Sequence, residues 1–281
     1  MTKSMHIKAT ILGCGSSGGV PRPGGPDGDG EWGACDPAEP KNRRKRCSLL
    51  IEAGAANAEE KTTLLVDTSP DLRAQLLAAR CRSIDAVLFT HDHADQTHGI
   101  DDLRPLVISM RRQIPAYLDE GTAGGLLHRF SYCFEQPPGS YYPPILERRD
   151  MPPCGKAFVV EGPGGPAPVI AFLQHHGGVD SLGFRFGPIA YSSDVVGLPE
   201  ESFAILEGVD TWIVDALQMK PHKTHAHLDL ALEWIERVRP RRAVLTNLHV
   251  HMDYQSLKTM LPDHIEPAYD GLVVDSEYSR D

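Results

Sequence analysis

The stretch that most constrains this 281-residue chain runs from residue 84 to residue 99. A mostly apolar run, Ile84-Asp85-Ala86-Val87-Leu88-Phe89-Thr90, leads straight into His91-Asp92-His93-Ala94-Asp95-Gln96-Thr97-His98-Gly99. A short apolar run closed by polar residues reads as a buried strand. Its end delivers three histidines and two aspartates into eight residues. Side chains alternate along extended backbone, so His91 and His93 project to one side and two imidazoles can reach one ion. Asp95 continues the alternation and offers a hard oxygen to an adjacent ion. So dense a cluster at a strand end has few structural reasons to exist, and it points to metal binding.

Further β-rich runs fall at 6–12, 48–52, 63–67, 169–173, 183–186, 189–192, 211–215, 242–247 and 271–275. Helical spacing occupies some of the gaps. In 70–80, Ser69 is the expected N-cap, Pro70 sits in the first turn, and Leu72, Leu76 and Leu77 share a face. In 101–112 the stripe is Leu103, Leu106, Val107 and Met110; in 227–238 it is Leu228, Ala231, Leu232 and Ile235. Runs of strands with helices interspersed predict a layered α/β architecture. Pro and Gly concentrate at 21–33 and 137–168. The second stretch is expected to be an irregular insert at the rim of a single domain spanning 1–281, because strands beyond it carry residues needed to complete a metal site.

Charge narrows the partners. Acidic residues outnumber Lys and Arg by 38 to 28, a net charge of −10, so long nucleic acid is a poor default partner. The local exception is Lys41-Asn42-Arg43-Arg44-Lys45-Arg46, which reads either as a solvated loop or as a rim that attracts phosphate through Arg43, Arg44 or Arg46. Six cysteines are scattered without a CxxC pair, as expected of reduced thiols in the cytoplasm. The N-terminal residues lack the apolar stretch of about 7–15 residues of a signal peptide, and no run approaches the roughly 20 apolar residues of a membrane span. Gly13-Cys14-Gly15-Ser16-Ser17-Gly18 fits the dinucleotide-binding spacing. That pattern needs a helix after its last glycine, and the residues that follow, Gly19-Val20-Pro21-Arg22-Pro23, cannot form one, so a nucleotide cofactor is rejected.

His-x-His-x-Asp at the end of an apolar strand resembles the metallo-β-lactamase superfamily, which implies a four-layer αββα sandwich with metals at one edge. Gln96 stands where that motif usually has a histidine. Gly13 to Pro21, followed by Arg43-Arg44 and by Ser48 before a strand, resembles the opening of PhnP-type phosphodiesterases within the superfamily. Leu65-Val66-Asp67 resembles the motif whose buried Asp supports the ligand loop. His176-Gly177 ahead of Gly183-Phe184 resembles the third histidine of the first metal, with His175 the adjacent alternative. Ala190-Tyr191-Ser192-Ser193-Asp194 resembles the motif of the bridging carboxylate. His225 matches a catalytic histidine of PhnP-type enzymes, with His222 and His227 beside it. In the last motif Asn247 occupies the expected ligand position; His249 is the expected ligand and His251 the next choice. The structural zinc that some PhnP-type proteins carry on N-terminal cysteines is expected to be absent, because only Cys35 is in place.

The resemblance implies a metal-dependent hydrolase with two divalent ions, zinc or manganese. The first would sit on His91, His93 and His176; the second on Asp95, His249 and Gln96, with His98 as a further donor. Asp194 and a hydroxide would bridge them. Asp67 and Asp95 would support catalysis, and His225 would pass a proton to the leaving oxygen. The implied partner is a small phosphodiester, cyclic or nucleotide-like, with no membrane involved and a homodimer left open. Acidic composition disfavours a tRNA 3′-end endonuclease. Thioester or lactone hydrolysis on the same metals competes with the phosphodiester reading. So does a non-catalytic metal-binding or sensing protein whose second site is degraded at Gln96 and Asn247.

Overall fold

Leu64 and Val66 of the strand Thr62–Val66 bury into one apolar cluster and Leu65 into another. The strand Thr211–Asp215 divides the same way, with Ile213 on one side and Trp212 and Val214 on the other. Strands buried on both faces need cover on both sides. In the computed structural model, which describes residues 4–279, the chain supplies that cover with four layers.

The first half of the chain lays down β1 (Ser4–Gly13), β2 (Ser48–Gly54), β3 (Thr62–Val66), β4 (Ala86–Leu88), β5 (Ile114–Leu118) and β6 (Leu146–Asp150). The second half lays down β7 (Ala157–Val160), β8 (Ala167–His176), β9 (Val179–Phe186), β10 (Ile189–Ser192), β11 (Thr211–Asp215), β12 (Arg242–Thr246) and β13 (Ile265–Pro267). The last strand, β14 (Val273–Ser279), returns to pair antiparallel with β1. The two seven-stranded sheets have the orders β14-β1-β2-β3-β4-β5-β6 and β13-β12-β11-β10-β9-β8-β7. Each is half antiparallel and half parallel, with β3 to β6 parallel in one and β10 to β13 parallel in the other.

Between the sheets lie Ile7, Leu49, Ile51, Phe184, Tyr191 and Val244, all but fully buried. Outside the first sheet, α1 (Leu72–Ala78), the short α2 (Ala94–Thr97), α3 (Arg104–Met110) and α4 (Glu120–Phe134) follow in order, and Leu72, Val107 and Leu126 pack on Leu65, Val87 and Phe89. Outside the second, α5 (Glu200–Leu206), α6 (Leu228–Val238) and α7 (Tyr254–Met260) bring Leu206, Ala231, Ile235 and Leu257 against Trp212 and Leu245. The result is the αββα sandwich that the sequence resemblance implies. Among the described residues no helix is long and apolar enough to cross a membrane.

Local chemistry moves several boundaries. α1 begins after Asp71 and not after Ser69, whose hydroxyl donates to Gln75 Oε1 at 2.8 Å. The 101–112 pattern breaks into a 3-10 turn, Ile100–Leu103, and α3, because Pro105 in the first turn of α3 has no N–H to continue one helix through it. Residues 137–168, expected to be an irregular insert, contain β6 and β7, the outermost strands of the two sheets. No helix follows the glycine-rich loop 13–18. Its glycines allow close packing instead: a Cβ on Gly13 would come within 2.1 Å of the Arg46 carbonyl oxygen.

Candidate metal centre

The carboxyl ends of β3 and β4 meet those of β10, β11 and β12, the position at which parallel α/β sheets commonly place ligands. Asp67, Asp194 and Asn247 each follow one of these strands with φ of 60°, 54° and 60°. That left-handed region is open to Asp and Asn at lower cost than to most residues, and it turns each chain sharply at the site.

The ligand loop is set from behind. The Asp67 carboxylate, fully buried, accepts from the Thr90 backbone N–H at 2.8 Å and from the Thr90 hydroxyl at 2.8 Å. With its hydrogen committed to Asp67, Thr90 Oγ1 accepts from His91 Nδ1 at 3.0 Å, which leaves His91 Nε2 with a lone pair. His176 Nδ1 lies 2.6 Å from the Thr224 carbonyl oxygen, an acceptor only, so this ring also keeps its lone pair on Nε2. His91, His93 and His176 each bring a nitrogen within 4.8 Å of the others. Burial pulls the His91 pKa down to about 4 and lowers that of His176 as well, so these rings are neutral. His91 Nε2 is buried with no hydrogen-bond partner, an arrangement that costs about 1–3 kcal/mol unless something takes the lone pair. Converging neutral imidazoles with an orphaned lone pair fit a divalent cation.

The other side of the pocket is built differently. His225 Nδ1 donates to Asp215 Oδ2 at 2.9 Å, and the same oxygen accepts from the Val195 N–H at 3.1 Å. Burial works against a charge on His225, but Asp215, Asp194 and Asp95 outweigh it and raise the ring to about 9. Burial pushes the Asp215 carboxyl up to about 6. Burial would also raise Asp194, yet His91, His225 and His176 around it hold it below the ordinary carboxylate range. Asp95 is pushed up by burial and by the neighbouring Asp194 charge. Gln96 Nε2 donates to Asp95 Oδ2 at 3.3 Å and to Asp194 Oδ2 at 3.2 Å. Asn247 Nδ2 lies 3.1 Å from His225 Nδ1.

The structure thus brings together His91, His93, His176, Asp194 and His225, with Asp95 and Gln96 alongside and Asp67 behind. His175 points outward to Asp180 at 2.9 Å. His98 packs against Phe130, with ring centroids 5.4 Å apart. His249 does not join the convergent donors; its ring lies 4.9 Å from that of His251. Burial, with Arg22, His251 and His222 nearby, pulls the His249 pKa down to about 4. Within the basic run only Arg43 is exposed. Arg44 is 2% exposed and donates to the Met252 carbonyl at 2.7 Å and to Asn42 Oδ1 at 3.0 Å. Arg46 lies 2.9 Å from Asp71, and Arg43 lies over the Trp32 ring. Nothing in the motif series points to Asp215, although a carboxylate closing an apolar strand is the signal that marks Asp67. Arg22, whose charge reaches His249, comes from the loop read as a broken dinucleotide motif.

Residues 62–249 match the family described as the beta-lactamase superfamily domain. A solved structure described as a new diphosphatase from the PhnP family is 31% identical, with a TM-score of 0.84 over 99% of this chain and 100% of that one. Zinc-bound PqqB from Methylobacterium extorquens, 18% identical, shares the fold with a TM-score of 0.70 over 96% of this chain and 100% of that one. An octanoyltransferase of Porphyromonas gingivalis is 30% identical over 270 residues, 95% of this chain and 51% of that protein. The chain therefore spans about half the length of the curated relative it matches.

Proposed function

Because the chain belongs to the beta-lactamase superfamily, we propose that it is a metal-dependent hydrolase and, more narrowly, a phosphodiesterase for a small cyclic or nucleotide-like phosphodiester. One observation carries this reading: the Asp215–His225 pair stands beside the converging imidazoles, the ring centroids of His176 and His225 being 4.7 Å apart. A cationic proton donor next to a cation pocket suits an anionic substrate that must expel an alkoxide. A divalent ion, zinc or manganese, on His91, His93 and His176 would supply the Lewis acid that neutralises phosphoryl charge and activates water. Asp215 orients His225 through Nδ1 and its charge favours the protonated ring, so Nε2 can give its proton to the leaving oxygen. Arg22, whose charge reaches His249, is the side chain proposed to steady a further phosphate oxygen, in place of the arginines of the 41–46 run. The diphosphatase description of the similar PhnP-family structure supports a phosphorus centre over an acyl one.

Turnover of bis(p-nitrophenyl) phosphate and of cyclic nucleotides by zinc- or manganese-loaded protein tests the proposal, run beside a panel of esters, thioesters and lactones. Hydrolysis of at least one phosphodiester is expected. Turnover confined to the acyl panel would replace the phosphodiesterase reading with the acyl-hydrolase one.

A further inference from the structure

We propose that this centre holds one divalent ion per chain, on His91, His93 and His176, and that the side-chain amide of Gln96 occupies the place of a second. The inference rests on the metal-dependent reading above and comes from which atoms are already taken. Gln96 is fully buried, and its Nε2 lies 3.3 Å from Asp95 Oδ2 and 3.2 Å from Asp194 Oδ2. Carboxylate oxygens accept, so the amide must present its two N–H groups, one to each. It joins the two carboxylates as a bridging cation would, with partial charges in place of a full one.

Asp194 Oδ2 also accepts from the Ser193 hydroxyl. Two donors on one carboxylate oxygen use the lone pairs that a second ion would need. Only Oδ1 is left toward the imidazoles, 3.8 Å from His176 Nε2.

The remaining candidate donors do not converge on a second ion. His225 Nδ1 is committed to Asp215 at 2.9 Å, and Asn247 turns its amide nitrogen, a donor and not a metal ligand, toward that ring at 3.1 Å. His249 packs beside His251, and although its Nδ1 is buried without a partner, it is not among the donors that converge within 4.8 Å of one another. Among the described residues the other convergent group is His176, Asp194 and His225. It shares His176 with the first group, and His225 Nδ1 already faces the Asp215 carboxylate. It cannot hold an ion of its own while His176 serves the first.

The test is a metal count. Protein stripped by chelation is reloaded with excess zinc, desalted, and measured by elemental analysis and native mass spectrometry. One zinc per chain is expected for the wild type, and two for a Gln96→His/Asn247→His variant. Two retained ions in the wild type would overturn the inference and leave the metal-dependent function standing; the Gln96 amide would then have turned its oxygen, now without a partner, toward an ion. One ion in both proteins would overturn the part assigned to Gln96. No retained ion together with no phosphodiester turnover would overturn both this inference and the function it rests on. Should the variant fail to fold, cobalt loading of the wild type decides. An uncoupled high-spin signal rising to one equivalent supports one ion, and a spin-coupled signal reaching two equivalents overturns it.

Discussion

Two fully buried carboxylates, one from each sheet, each hold a histidine at the same edge and leave those histidines in opposite charge states. Asp67, after β3, acts through Thr90: the hydroxyl stands between the carboxylate and His91, and burial keeps that ring neutral, its pKa near 4. Asp215, at the end of β11, touches His225 directly at 2.9 Å, and with Asp194 and Asp95 it holds the ring cationic against burial, at about 9. One ring is left a lone-pair donor and the other a proton donor. The Thr90 relay fixes the tautomer without delivering a negative charge to the ring.

The most severe way to break the comparison is to remove the lone-pair donor itself. His91→Ala is expected to abolish zinc retention after desalting and all metal-dependent turnover with it, read by elemental analysis. Next is the proton donor. His225→Ala should lower kcat by roughly 10²–10⁴-fold while zinc content stays as in the wild type. A parallel loss of zinc would mean that the two histidines are not functionally separate. Thr90→Val keeps the branched shape and deletes the relay. Zinc affinity should fall by about 10–100-fold, measured by competition with a chromophoric chelator. Unchanged affinity would show that Asp67 does not act on His91 through the hydroxyl.

Much of this site is legible in the sequence because a dense cluster of ligand-type residues follows an apolar strand. His91 and His93 are found by that cluster and not by alternation, since β4 ends at Leu88 and both lie in the loop before α2. His176 is chosen over His175 by β8, which turns the one inward and the other to Asp180. His249 shows where alternation stops helping. The expectation requires β12 to continue past Asn247, but the strand ends at Thr246 and Asn247 takes φ 60°. Two residues beyond such a turn no longer share a face with it. Thr224 is invisible for another reason: it acts on His176 through its backbone carbonyl, which every residue type has. Arg44 lies in a run of charges that reads as surface, and it is buried because its segment pairs with Val20 and its guanidinium reaches the Met252 carbonyl. The fold is more legible than the site, since strands with apolar residues of both parities require layers on both faces.

A third carboxylate sharpens the comparison because it receives donors at the surface. Asp253 caps α7: its Oδ1 accepts from the Ser256 N–H at 2.9 Å and the Ser256 hydroxyl at 2.8 Å, and its Oδ2 accepts from Asn42 Nδ2 at 2.7 Å. The little burial it has pushes the carboxyl up, but these donors win and hold it at about 2. Asp67, with two donors but complete burial, goes the other way. Asp253→Ala should destabilise the fold by about 1 kcal/mol at neutral pH, the usual cost of losing an N-cap. The folded pKa lies below the unfolded value of about 3.9, so the stabilisation is fully present above that pH and is lost as pH falls through about 2. Urea unfolding of both proteins from pH 7 down to the acid limit of the fold should therefore show their difference shrinking below pH 4 or so. Acid release of a bound metal affects both proteins alike and cancels in that difference. A gap that stays constant with pH would mean that the Asp253 carboxylate is no better held in the folded chain than in the unfolded one, and that donors alone do not set the direction at this edge of the molecule.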